Sequence, residues 1–153
     1  MAGGWRAERL IVLRSFGKFF GLPGLRLGFV AARPDLIARL RLRQGEWPVS
    51  ADAIAAGLAA YADTGWAETA RDRLARAARR LDDLLSRAGL DVVGGTSLFR
   101  LADAADAQDH FTALGSAGVL TRPFAYNPRW LRFGLPADAH WPRLEAALME
   151  SPR

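Results

Sequence analysis

The segment RSFGKFFGLPGLRLGF, residues 14–29, carries three side chains whose types and spacing suit covalent chemistry beside a phosphate. Lys18 is the only lysine among 21 Lys and Arg residues. Where every other cation is an arginine, an amine points to chemistry that a guanidinium cannot do. A neutral amine attacks an aldehyde and forms a Schiff base, whereas arginine stays protonated and delocalised. The flanking Phe16, Phe19 and Phe20 are expected to strip water from the amine, which favours its neutral form. Ser15 lies three residues before Lys18 and Arg26 eight after it. A hydroxyl and a forked guanidinium are both good phosphate ligands.

Gly17, Gly21 and Gly24 let backbone approach an anion closely. They do not form the dinucleotide pattern G-x-G-x-x-G, so the glycines alone say little. Ser-x-x-Lys followed by an arginine is more specific. It holds a phosphate near an imine-forming amine, the requirement of a pyridoxal phosphate site. The same Ser-x-x-Lys pair serves as a serine nucleophile in β-lactamases, but on a helix, and Gly17 in a Phe-Gly context argues against a helix here.

The elements that must position these groups follow from periodicity. The run Leu10-Ile11-Val12-Leu13 predicts a strand over residues 8–14, apolar enough to be buried on both faces. A loop follows, then a second strand over 25–32. Pro34 opens a helix that Gly45 and Pro48 end. Ser50 is the expected N-cap of a helix over 51–61. Leu74, Ala78, Leu81, Leu85 and Ala88 form one stripe of a long helix over 66–88, with Gly89 as its cap. Beyond it the pattern predicts ββαββα, with helices near 105–116 and 138–149. Trp47 is expected to pack in a core or an interface. A buried-type first strand with little partner material suggests a piece of a larger protein.

Composition excludes several classes. The 153 residues contain no cysteine, which removes disulfide scaffolds and thiolate metal sites. His110 and His140 stand far apart, so no metal site is expected. The net charge of +5 is spread among acids, as in Arg71-Asp72-Arg73, and a nucleic-acid partner is not expected. No apolar run is long enough to span a membrane, and Arg6, Glu8 and Arg9 interrupt any secretory segment. The expected location is the cytoplasm.

The motifs resemble those of fold-type I pyridoxal-phosphate enzymes, the aminotransferase class I/II family. Within it they are most similar to the threonine-phosphate decarboxylases of cobalamin biosynthesis, themselves similar to histidinol-phosphate aminotransferases. The matching pieces are LRSFGKFFGLPGLRLGF, WPVS at 47–50, GGTSLFRL at 94–101, TRPF at 121–124 and WLRFGLP at 130–136. The resemblance implies an α/β fold of two parts. Residues 1–48 would end a large pyridoxal-phosphate-binding domain, and 49–153 would form a small C-terminal α/β domain. Lys18 would carry the cofactor and act as the catalytic residue, with Ser15 and Arg26 on the cofactor phosphate. Arg132 would bind the substrate carboxylate, and Arg122 would also face the substrate. The substrate would be a small phosphorylated amino acid and the complete enzyme a homodimer. The groups that hold the cofactor ring lie upstream in such enzymes and match no residue here. The implied reaction is decarboxylation of L-threonine O-3-phosphate to aminopropanol phosphate. An aminotransferase of histidinol-phosphate type, and a non-catalytic fragment that needs an upstream half, are the alternatives.

Overall fold

A computed structural model describes residues 9–150. It divides into two compact units, Met1–Thr64 and Gly65–Arg153.

In the first unit, β1 (Val12–Ser15) and β2 (Gly28–Ala31) form an antiparallel hairpin, with Val12 opposite Ala31 and Ser15 opposite Gly28. Glu8, the first residue of the expected strand, lies outside the described residues. Burial of β1 on both faces is not found. Leu13 is 72% exposed and Ile11 54%, because two strands alone cover neither face. Two helices follow, α1 (Pro34–Gln44) and α2 (Ala51–Ala62). Ser50 caps α2 as expected, its Oγ accepting the Ala53 N–H at 3.2 Å. Phe16, Leu27 and Ala53 form a small buried cluster that joins α2 to the neck of the hairpin. Trp47 does not pack in a core. It is 91% exposed, because it sits in the link between α1 and α2 beyond the reach of that cluster.

The second unit follows the expected order. α3 (Thr64–Arg87) buries Ala67, Ala70, Ala78, Leu81, Leu84 and Leu85, positions that recur at helical steps of three and four. Gly89, at φ 81°, ends the helix in the left-handed conformation. A four-stranded antiparallel sheet of order β3-β4-β6-β5 comes next, from β3 (Asp91–Thr96), β4 (Phe99–Asp103), β5 (Arg122–Phe124) and β6 (Asn127–Gly134). α4 (Ala107–Ser116) lies between β4 and β5, and α5 (Trp141–Met149) closes the unit. The strict alternation of β6 sets two faces. Leu131 and Phe133 are buried in a core with Leu81, Leu85, Leu114, Trp141 and Leu148, while Trp130 and Arg132 point to the opposite face. Arg100 crosses from β4 to α3, its guanidinium meeting both oxygens of Asp82 at 2.5 and 2.8 Å.

Candidate functional site

The loop between β1 and β2 carries Lys18 and Arg26, and Ser15, the last residue of β1, stands at its start. Strand pairing ends at Ser15 opposite Gly28, and the Phe16 N–H extends it by donating to the Leu27 carbonyl at 3.2 Å. Inside the loop, the Leu22 N–H donates to the Phe16 carbonyl at 2.9 Å and the Gly21 N–H to the Lys18 carbonyl at 3.0 Å. Phe16 is fully buried beneath it. Its ring stacks on Phe20 at 4.6 Å and meets Tyr61 edge-on at 5.1 Å. Phe19 packs on Phe20 at 5.1 Å. The phenylalanines are thus engaged with one another and with α2. Lys18 is exposed, and these residues do not provide the desolvation expected of them.

Ser15 stands at the loop's neck. Its Oγ accepts the Gly17 N–H at 3.2 Å, which leaves the hydroxyl proton free to donate to an anion. Arg26 follows the short 3-10 turn Pro23–Leu25 and has φ 51°. It is the one non-glycine residue with positive φ among the described residues. A left-handed backbone costs an L-residue about 1–2 kcal/mol, and glycine would avoid the cost. Its Nη1 donates to the Pro23 carbonyl at 3.0 Å, which steadies the side chain at the loop's exit. Strain of this kind concentrates at functional positions. The donor set fits pyridoxal phosphate: a primary amine for the aldehyde, and a hydroxyl and a guanidinium for the phosphate dianion.

In the second unit the sheet brings Arg122 and Arg132 together as direct cross-strand neighbours of β5 and β6. Neither makes an ion pair among the described residues. The carboxylate of Asp103, on β4 opposite Trp130, is taken by Arg129. That hydrogen bond, and then the charge of Asp103, hold the Arg129 guanidinium above its ordinary pKa. The Arg132 guanidinium lies over the Phe99 ring, 5.1 Å from its centroid. Sequence reasoning passed over Phe99, because which β4 residue lies beside Arg132 depends on register. His110 is buried in α4 with the Asp106 carboxylate 3.6 Å from Nε2, and no cluster of metal ligands occurs among the described residues.

Residues 2–148 match the family model for aminotransferase class I and II, and the chain belongs to that family. A threonine-phosphate decarboxylase from Pseudomonas aeruginosa is 46% identical over 142 residues, covering 92% of this chain and 42% of that protein. A histidinol-phosphate aminotransferase from Ralstonia nicotianae is 36% identical, covering 95% and 42%. The crystal structure of histidinol-phosphate aminotransferase from Sinorhizobium meliloti in complex with pyridoxal-5'-phosphate superposes with a TM-score of 0.77 at 25% identity, covering 94% and 41%. The chain therefore spans about two fifths of the length of the relatives it matches. It comprises the end of the pyridoxal-phosphate-binding large domain and the small C-terminal domain of this fold, and pyridoxal phosphate is the family's cofactor.

Proposed function

We propose that this chain is the C-terminal part of a decarboxylase acting on L-threonine O-3-phosphate with pyridoxal phosphate as cofactor. The observation that carries the reading is the loop closed between Ser15 and Gly28, which gathers an amine, a hydroxyl and a guanidinium on a left-handed backbone residue. The bound cofactor supplies an electron sink for the pair released at Cα. Lys18 Nζ would hold the cofactor through its aldehyde, and the same amine would carry the proton that Cα takes up when carbon dioxide has left. Ser15 and Arg26 grip the cofactor phosphate. Arg132 orients the substrate carboxylate as a forked partner, and Arg122 adds a second cation for the substrate's anionic groups.

The same reading takes residues 1–48 as large domain and 49–153 as small domain, in a cytoplasmic homodimer. No helix among the described residues is long and apolar enough to cross a membrane. The 46% identity to a decarboxylase, against 36% to an aminotransferase, supports carbon dioxide loss over amino-group transfer. The second reading is the aminotransferase, which breaks Cα–H instead of Cα–carboxylate.

Two measurements test this. Borohydride reduction of the chain mixed with pyridoxal phosphate, followed by peptide mass mapping, is expected to place the label on Lys18. A label elsewhere, or undiminished labelling of Lys18→Ala, removes the reading. Carbon dioxide release from threonine phosphate separates the decarboxylase from an enzyme that passes the amino group to a keto acid.

A further inference from the structure

The segment GGTSLFRL, residues 94–101, has no part in the chemistry above, yet it forms the turn that leads into β4, the strand paired with Arg132. β3 and β4 are joined by a two-residue turn, Ser97-Leu98, between the paired Thr96 and Phe99. Thr96 Oγ1 accepts the Leu98 N–H at 3.1 Å. Gly95 has φ 146°, and a Cβ there would fall 2.5 Å from the Phe99 carbonyl oxygen and 2.9 Å from Arg100 Cα. Both are backbone atoms, so no side chain fits, and the turn packs tightly on the start of β4. The Leu135 N–H donates to the Leu98 carbonyl at 3.4 Å, tying the turn to the end of β6. Phe99 is therefore held from both sides.

Phe99 pairs with Gly134, which has no side chain, and Arg132 pairs with Leu101. Phe99 and Arg132 are diagonal neighbours on one face of the sheet, a separation that an aromatic ring and a long side chain can bridge. The guanidinium carbon lies 5.1 Å from the ring centroid, within cation–π range. A bidentate grip on a carboxylate requires the guanidinium plane to be fixed, and a free arginine side chain samples many planes.

We infer that Phe99 is a positioning residue for Arg132, a platform that sets the guanidinium plane before substrate arrives. This rests on the reading of Arg132 as the carboxylate ligand. The closest alternative role for Phe99 is general packing, from which it differs in requiring a ring at that position.

The test uses the full 153-residue chain with arginine side chains labelled for nuclear magnetic resonance. The Arg132 Nε–H resonance, assigned by its loss in Arg132→Lys, is followed while L-threonine O-3-phosphate is titrated. Phe99→Leu is expected to move that resonance through loss of the ring current and to weaken the phosphoamino acid about two- to fivefold, the size of an exposed cation–π contact. Phe99→Tyr keeps a ring and is expected to retain both the resonance and the affinity. Affinity unchanged in Phe99→Leu, or equally weakened in Phe99→Tyr, overturns the platform. If Arg132 in the parent chain does not respond to the ligand at all, the reading of Arg132 fails first, and the platform's purpose with it.

Discussion

Arg122 and Arg132 stand directly opposite each other across β5 and β6, yet each guanidinium lies over a different ring, Phe124 at 5.7 Å and Phe99 at 5.1 Å. Like charges directly opposite on a sheet destabilise it. Asp103, two rungs from Arg132 on β4, is committed to Arg129. Among the described residues neither Arg122 nor Arg132 makes an ion pair. An anion that enters between them gains from both and relieves their repulsion.

This predicts a stability signature independent of any reaction. Phosphate or sulfate is expected to raise the unfolding midpoint more than chloride at matched ionic strength, because a ligand that binds only the folded state stabilises it. In Arg122→Gln the increment shrinks. The variant itself is more stable than the parent at low salt, by about half a kcal/mol, and the gain fades as salt screens the pair. Denaturant titrations with each anion decide it. An equal anion effect in both proteins would show that the pair is no receptor.

Gly57 ties α2 to the cofactor loop. A Cβ at this position would come 2.6 Å from Leu27 Cδ2 and 3.9 Å from Phe16 Cζ. Leu27 precedes the last rung of the hairpin and follows Arg26 directly. Alanine improves helix propensity by about 1 kcal/mol over glycine, but it must displace a buried leucine. Valine adds bulk with no such gain. Gly57→Val is expected to cost about 1–3 kcal/mol by overpacking and to weaken pyridoxal phosphate although it touches no ligand group. Unchanged stability by urea titration would mean that the cluster yields without cost.

The forked contact of Arg100 with Asp82 is a charged link between the sheet and α3, with both side chains largely shielded from water. Hydrogen bonds to charged groups contribute about 1.5–3 kcal/mol. Asp82→Asn keeps the shape and removes the charge, and a loss of about 1–2 kcal/mol is expected. Arg100→Lys is not expected to rescue the link, since a single ammonium cannot meet two oxygens in the same fork. A double-mutant cycle measures the coupling. A coupling near zero would place this pair with ordinary exposed ion pairs.

Much of this architecture was legible from periodicity and punctuation. The stripe through Ala78, Leu81, Leu85 and Ala88, the cap at Ser50 and the stop at Gly89 are local features, fixed by residues a few positions apart. The ββαββα order followed for the same reason. That Lys18, Ser15 and Arg26 lie at one hairpin connection was legible because they are close in sequence. What escaped was set by long-range pairing. Arg122 opposite Arg132, and Phe99 beneath Arg132, depend on register between strands that sequence spacing does not determine. The exposure of Leu13 and Trp47 escaped for a different reason. Apolar character states what a side chain favours, and only the surrounding chain decides whether these residues supply it.

Arg26 separates stability from function most sharply. Its left-handed backbone is a conformation that glycine adopts freely. Arg26→Gly removes that strain and also the hydrogen bond from Nη1 to Pro23. The strain is the larger quantity for a side chain this exposed, so the variant is expected to be more stable by about 0.5–1 kcal/mol. Arg26→Ala keeps the strain and loses the hydrogen bond, so it is expected to be less stable than the parent. Both variants lose the guanidinium and should bind pyridoxal phosphate at least tenfold more weakly, about the value of one charged hydrogen bond. Thermal unfolding orders the three proteins, and cofactor titration by absorbance orders their affinities. A glycine variant that is both more stable and undiminished in affinity would show that the arginine is retained for neither purpose, and that the cofactor phosphate is held elsewhere.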